Sequence, residues 1–465
     1  MSEGVLSTKV IRAVIAVGLL SFCGVVVETA MNITFPILMK TFTITTSTVQ
    51  WMTTVYLLVV ALVVPLSAYL KRSFRTKTLF CVANGLFSIG LLVDIIAPNF
   101  GLLLFGRVIQ GVGVGIALPL MFNIILDQVP LHKIGIMMGI GTLITAVAPA
   151  VGPTFGGFVA SSLGWRYIFV LLLPVVMLSF ILGITAIEQK TEISFELPDM
   201  LSFLAILALF IGLILALSNL AQYAFYQPEV WLWFLLGGLG LFALIKRSQQ
   251  LTQPIIALDV LKKPIFAGHV FAFFLFQTVN LGMSFLIPNY IQLVNHSSAT
   301  IAGLLVFPAA FLGASCSPFS GYWLDRLGAK KPILFGTSLI VIALVFFSLF
   351  GNHLSNVCLT ILYIVFMCGM GIAFGNIMTS GQKEIPDTMR SDANAIFNTL
   401  QQFAGAVGTT LASLIVAISQ SQSSISQGLA TAKGSQTAFA FLLVLAIVEW
   451  LVLYKVVANK PKTSL

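Results

Sequence analysis

The chain has 465 residues, of which 58% are hydrophobic and 8% charged, with a formal net charge of +9 and a mean hydropathy of +1.03. Soluble domains carry roughly 45–50% apolar and about 25% charged residues, so this composition excludes a water-soluble globular protein and indicates an integral membrane protein. Its apolar stretches, mostly about 18–25 residues long, suit helices crossing about 30 Å of hydrocarbon, and the short alternating strands of a membrane barrel are not seen.

In chain order the spans fall near 11–35, 47–70, 78–97, 100–126, 135–160, 165–187, 200–220, 230–246, 264–292, 301–323, 333–350, 356–381, 393–419 and 435–456, fourteen in all. The first follows Lys9 and Arg12 in the manner of a signal peptide, yet it runs on to Pro36 without a small-residue cleavage site, so it reads as a retained span. With the N-terminus in the cytoplasm, 20 of the 24 Lys and Arg fall on the inside. Only Lys40, Arg166 and Lys433 fall outside, and Arg107 lies within a span. This bias places both termini in the cytoplasm. The net charge is mostly this asymmetry, and it implies no nucleic-acid partner. The five cysteines, Cys23, Cys81, Cys316, Cys358 and Cys368, are scattered and form neither a disulfide framework nor a CxxC metal site.

An internal repeat organises these spans. PLSAYLKRSFRTK (65–77) recurs in degenerate form as PFSGYWLDRLGAKK (318–331), an offset of 254 residues when Ser67 is set on Gly321. The Phe35-Pro36 and Ile287-Pro288 steps give an offset of 252. Transporters are often built from repeated halves with the site between them. The expected domains are a six-helix bundle over 1–190, two additional helices and linkers over 191–262, and a second six-helix bundle over 263–465.

Three segments carry a resemblance. GYWLDRLGAKK (321–331) resembles the cytoplasmic-loop motif of the major facilitator superfamily, GRVIQGVG (106–113) its fourth-span Arg motif, and GIGTLITAVAPAVGPTFGG (139–157) the fifth-span motif of its drug/proton antiporters. With the fourteen spans, ETAMNITFP (28–36), QWMTTVYLL (50–58), WRYIF (165–169) and NTLQQFAGAVG (398–408), the chain is similar to the fourteen-span drug:H+ antiporter family, closest to lincomycin-resistance-type exporters. The resemblance implies an all-α major facilitator fold of two six-helix bundles plus two extra transmembrane helices. It implies a proton-coupled exporter of lipophilic drugs, driven by the proton gradient without a cofactor or metal. Lys71 stands where the first-half loop motif has Asp, Phe74 where it has Gly, and Ala148 replaces a Gly of the fifth-span motif. The first-half gate is therefore expected to work differently or to leave its role to the second copy.

Each motif has a physical reading. Gly321 removes a side chain where helices cross, Gly328 permits a tight turn with positive φ, and Asp325 faces helix N-termini or neighbouring cations. With Arg326 and Lys330 these form the candidate gating loop, although Arg326, Lys330 and Lys331 also satisfy the positive-inside rule. In the fifth span, whose motif residues are Gly139, Ala148, Gly152, Pro153, Gly156 and Gly157, the series Ala148, Gly152, Gly156, Ala160 recurs every four residues and offers one smooth face for close packing. Pro149 and Pro153 remove backbone donors and bend the helix, which makes it either a pivot or a static packing helix.

The stretch LLSFCGVVVETAMNITFPIL (19–38) is apolar enough for lipid, yet it contains Glu28. Glu28 precedes Pro36 by eight residues, about 12 Å of helix, and Arg107 follows Phe100 by seven, about 10 Å, so the two lie at similar depth. Intramembrane charges are functional candidates and tend to pair, which predicts that Glu28 and Arg107 face one another in at least one state. Burial disfavours an ionised carboxylate and a nearby guanidinium favours it. Moving Arg107, which stays charged, toward or away from Glu28 would make the acid release or hold a proton; a fixed structural ion pair is the alternative.

Asp94, four residues before Pro98, is placed near the outer interface and is a further candidate for the proton path. Asp127 ends span four as a gate partner for nearby cations or as a solvated acid. Glu449, six residues before Lys455, is expected to reach toward the inner headgroups, and the second-half spans offer no acid equivalent to Glu28. His269, His296 and His353 receive no role. Major facilitator sites lie between the halves, so Gln50, Trp51, Tyr56, Gln277, Asn280, Asn376, Asn398 and Gln401 are the candidate pocket residues. The 38 Phe suit a flexible aromatic cavity. The expected partners are a lipophilic small molecule, protons and the lipid bilayer, with the chain acting as a monomer in the cytoplasmic membrane. The alternatives are an exporter of lipids, siderophores or amino acids, or a non-transporting membrane sensor. The sequence holds no soluble sensory domain, catalytic triad or HExxH, and the lack of a P-loop argues against ATP drive.

Overall fold

The computed structural model describes residues 7–129, 134–189, 193, 199–220, 223, 225–251, 254–386, 389–422 and 426–457, and among them every regular element is a helix. The first, α1 (Thr8–Phe42), starts at Ser7, whose side chain accepts from the Lys9 N–H, and ends where Thr43 turns left-handed at φ 54°. At 35 residues it outruns the predicted span, because Pro36 lies inside the helix instead of ending it. The second span is broken: α2 (Thr46–Val49) and α3 (Trp51–Val63) lead through a 3-10 turn (Val64–Leu66) into α4 (Ser67–Ser73). Pro65 sits in that turn, where its missing N–H tightens the helix.

Then follow α5 (Thr76–Ile96), α6 (Phe100–Gln128), α7 (Ile134–Ser162), α8 (Arg166–Ala186), α9 (Met200–Asn219) and α10 (Pro228–Gln250). After a 3-10 turn (Leu258–Lys262) come α11 (Pro264–Leu293), α12 (Ala299–Leu327), α13 (Lys330–Phe350), α14 (Asn356–Lys383), α15 (Arg390–Gln422) and α16 (Gln427–Val456). Thirteen of the described segments are long and apolar enough to cross a bilayer. The 29-residue α7 stands where the fifth span is expected and completes fourteen long helical segments.

Packing makes α1 a central helix, with α6, α7, α8 and α11 around it and α3 touching it. On the other side of the molecule α11 occupies the comparable place among α14, α15 and α16. We call the end holding Phe42 and Ser298 the upper end and the end holding Thr8 and Gly328 the lower. At the upper end the helices before residue 190 are stitched to those after 263. Gln292 Nε2 donates to Ile33 O at 2.8 Å, Thr46 Oγ1 to Gln420 Oε1 at 2.7 Å, Thr154 Oγ1 to Gly303 O at 3.1 Å and Thr300 Oγ1 to Gly157 O at 3.2 Å.

The α9–α10 pair is a hairpin joined by glycines: a Cβ at Gly212 would stand 2.5 Å from the Gly237 nitrogen, and one at Gly240 would stand 2.5 Å from that of Leu209. Small residues let two backbones approach this closely in a bilayer. α9 leans on both α3 and α15, with Phe210 stacked on Phe403 at 4.1 Å, so the hairpin covers the seam where those two helices meet.

Candidate functional site

Arg107 is fully buried on α6 and its donors are assigned. Nε donates to the Met52 carbonyl at 3.1 Å and Nη1 to Gln110 Oε1 at 2.6 Å, while the guanidinium lies 4.1 Å over the Tyr56 ring. Tyr56 in turn donates its hydroxyl to the Gly24 carbonyl of α1 at 2.9 Å. Only Nη2 has no partner. Gln110 passes the connection on, its Nε2 donating to Asp94 Oδ2 on α5 at 2.8 Å, and Asp94 Oδ1 is left unpartnered. Asp94, two residues before the end of α5, is therefore a fully buried member of this network.

Two glycines permit the geometry. A Cβ on Gly106 would fall 1.8 Å from Asp94 Oδ1, and one on Gly90 2.8 Å from the Gly106 carbonyl, so α5 and α6 meet backbone to backbone beside the acid. Gln110 was missed by sequence reasoning. Its signal was available: it lies three residues after Arg107, on the same helical face, as an amide inside a lipid-spanning segment.

Glu28 stands close enough for Arg107 to act on it electrostatically, yet the two make no contact within ion-pair distance. Although α1 is enclosed by other helices, Glu28 retains accessible surface, as do Phe22, Val25 and Thr29 at helical spacing. The arrangement is a partly accessible acid near a buried guanidinium with one free nitrogen, backed by a second acid through an amide.

α7 connects this site to the second helix group. A Cβ on Gly152 would meet Thr29 Oγ1 at 1.9 Å, and one on Gly156 the Ala30 Cα at 2.7 Å, so both glycines face α1. Gly157 faces the other way, its Cβ position 2.3 Å from the Ala299 carbonyl of α12, and Gly303 of α12 approaches Pro153 O just as closely. Ala148 is fully buried. The surroundings of Gly139 and the Asp325 side chain lie outside the described residues.

Elsewhere in the expected gating loop, Gly328 takes φ +76° at the end of α12, and its N–H donates to Leu324 O. At Gly321 a Cβ would meet open space, so no helix crossing demands a glycine there in this arrangement. Arg326 lies 4.4 Å over Tyr322, and Lys330 Nζ 4.5 Å over Tyr454.

In the first half Lys71 finds an acid: its Nζ is 2.8 Å from Asp127 Oδ1, joining α4 to the end of α6. Both side chains are about a quarter exposed, so the pair contributes about 0–1 kcal/mol to stability, and its role is positional. Lys71→Asp should face two carboxylates and slow transport several-fold, and adding Asp127→Lys should restore it. Uptake rates in vesicles check this, and a double variant no faster than the single one would refute the pairing.

The expected pocket residues are distributed over α3, α11, α14 and α15 and the α2–α3 junction. Gln50 is buried and accepts from Thr54 and, across the two helix groups, from Thr410 at 3.4 Å. Tyr56 belongs to the Arg107 site. Asn376 is buried between α12 and α14, donating to Ser320 Oγ at 3.1 Å and Ile372 O at 2.9 Å. Gln277 accepts from Asn280 at 3.3 Å on α11. Asn398 donates to Asn394 O at 2.9 Å, while Trp51 and Gln401 remain partly exposed. Glu449 does not reach the headgroups: it is 1% exposed, turned into the helix bundle.

Known proteins share this organisation. Residues 17–409 match the Major Facilitator Superfamily model. The lincomycin resistance protein LmrB of Bacillus subtilis (strain 168) is 35% identical over 453 residues, covering 95% of this chain and 94% of its own. The LmrB protein of Listeria innocua is 33% identical, covering 92% of both. A multidrug resistance protein B homolog of Mycobacterium tuberculosis (strain H37Rv) is 27% identical over 84% of this chain and 72% of its own. Among solved structures, a bacterial homolog of the human lysosomal transporter Spinster, inward-facing and occupied, superposes with a TM-score of 0.69 at 14% identity, covering 97% of each chain. A D-xylose–proton symporter gives 0.68 at 14% identity, also covering 97% of each. These two likenesses concern the fold alone. The chain belongs to the major facilitator superfamily: it is a multi-pass cell-membrane transporter, not an enzyme, related to lincomycin-resistance and multidrug-resistance proteins.

Proposed function

We propose that this transporter is a proton-coupled antiporter that exports lipophilic drugs across the cytoplasmic membrane, with its upper end outside and both termini in the cytoplasm. It works as a single chain, needs no cofactor and is driven by the proton gradient. The observation that carries this reading is the free Arg107 Nη2, buried beside Glu28 while the other guanidinium nitrogens are held by Met52 and Gln110.

With the site open to the outside, a proton from water adds to the Glu28 carboxylate. Arg107 then keeps Asp94, reached through Gln110, as its counter-charge, and the drug is released. With the site open to the cytoplasm, Glu28 gives the proton to water, and its carboxylate turns toward the free Arg107 nitrogen as drug binds. The accessible surface that Glu28 retains supports the exchange, and the α1–α7–α12 glycine contacts support coupling of that acid to movement between the two helix groups. The gating loop at Gly321–Lys330 would close the lower end. The candidate pocket residues still partly open, Trp51, Asn280, Asn398 and Gln401, would meet substrate.

Proteoliposomes holding the full chain, with an imposed pH gradient and a panel of compounds, test the proposal. Drug-stimulated proton movement is expected. Movement with lipids, siderophores or amino acids only would reassign the substrate, and no movement with any compound would mark a non-transporting sensor and overturn the reading.

A further inference from the structure

Glu449 is a buried acid that the exchange scheme leaves unused. It lies 22 residues into α16 and seven before Val456, about 10 Å of helix from the lower end. It is 1% exposed, and neither carboxyl oxygen has a hydrogen-bond partner. The residue sits on the buried stripe of its helix, with Leu442, Ala446 and Leu453 at helical spacing on the same face. That face packs on α11, α13 and α15.

On α11, the contacts of Gly268 with Val456 and of Gly282 with Leu442 fix an antiparallel register that brings Leu275 level with Glu449. On α13 the polar groups at this level are Thr337, whose hydroxyl donates to Ile333 O at 2.9 Å, and Ser338, whose Oγ already accepts from Trp450 Nε1 at 3.0 Å. The titratable and charged groups of the surrounding helices are engaged elsewhere or lie at helix ends. His269 of α11 bonds with Ile265 O at 2.8 Å and Ser380 Oγ at 3.0 Å. Lys330 of α13 lies over Tyr454, while Lys331 of α13, Asp392 of α15 and Lys455 of α16 sit at the lower ends of their helices. Arg390 opens α15 there as well, and its side chain lies outside the described residues.

We infer that Glu449 is a second proton-binding site of this transporter, carrying its proton in the arrangement seen and yielding it when α16 parts from α11 and α13. An isolated carboxylate among apolar helices would lack both counter-ion and hydrogen bonds, whereas the neutral acid forgoes only a hydrogen bond. The step is a plain proton exchange: the carboxyl O–H gives its proton to an incoming water, and the carboxylate takes one back when the helices close. Intramembrane acids facing a bundle interior are functional by default, and this one lies in the helix group opposite to Glu28. The role in coupling rests on the proposed antiport, but the protonation itself does not.

Infrared spectroscopy of the full chain in lipid tests it. In a Glu28→Gln background at neutral pH, a protonated-carboxyl C=O band is expected that shifts when glutamate is isotopically labelled and disappears in Glu28→Gln/Glu449→Gln. The label separates it from Asp94. If no such band shifts with the label, Glu449 is ionised and the inference fails, whether or not the double variant folds. In proteoliposomes, Glu449→Gln alone is expected to move fewer protons per substrate than the parent. An unchanged ratio would remove Glu449 from coupling while leaving the Glu28 reading intact. Proton coupling that survives Glu28→Gln would instead sink the Glu28 reading without touching the infrared result.

Discussion

Glu28→Gln should reduce pH-gradient-driven transport to the level of protein-free vesicles while leaving the folded protein in the membrane. The amide has the shape of the protonated acid but cannot release a proton, so the variant is held in the state from which drug leaves. Folding should survive, because the position already has accessible surface and no ion-pair contact is lost. Arg107 would keep its bonds to Met52 and Gln110 and its electrostatic link to Asp94. Removing a charge that burial disfavours costs nothing comparable to removing the guanidinium, which would leave Asp94 without its counter-charge and Gln110 Oε1 without its donor in the interior. Proton flux and drug flux measured together in proteoliposomes, with a thermal unfolding curve as control, check the prediction. Transport persisting with an unchanged pH dependence would remove Glu28 from the coupling step.

How far the sequence reached differs from element to element, for physical reasons. The fourteen long helices were legible because length and continuous hydrophobicity are what a bilayer requires, and neither depends on neighbours. The ends of α1 were not. A proline in lipid can be accommodated inside a helix, and Pro36 is, whereas Pro65 coincides with a change of helix type. Glu28 and Arg107 could be set at one depth by counting residues, but depth says nothing of rotation. The Arg107–Gln110–Asp94 chain depends on how closely α5 and α6 approach, which only the bare backbones of Gly90 and Gly106 allow.

Rotation also explains Glu449. A span apolar on every side gives little amphipathic signal, so the nearby Lys455 suggested an interfacial acid, while the helix turns the residue onto its buried stripe. Two of the candidate pocket amides are engaged within the protein for a similar reason. Amides were read as substrate contacts, but a bilayer makes every buried amide seek a partner, and Gln50 and Asn376 found theirs on neighbouring helices.

Gly156→Val is expected to stop transport by prying α1 from α7. A Cβ at Gly156 would stand 2.7 Å from both Cα and O of Ala30 and 2.8 Å from its Cβ, distances that side-chain rotation cannot relieve because two of the three atoms are backbone. Gly152 is a gentler case, since the atom at 1.9 Å is the Thr29 hydroxyl, which can swing away. Overpacking of this kind costs about 1–3 kcal/mol, so a lowered unfolding temperature should accompany the loss. The functional effect should exceed the loss of stability. Ala30 is two residues from Glu28 on α1, and a shift there changes the distance from that acid to Arg107, which is fixed to α3 through Met52 O. Gly85→Ala on α5, where a Cβ would meet nothing within 4 Å, is the control and should leave both readouts unchanged. A Gly156→Val protein that transported at the parental rate would mean that α1 and α7 do not move as one body, and the route from the buried acid to the second helix group would have to run elsewhere.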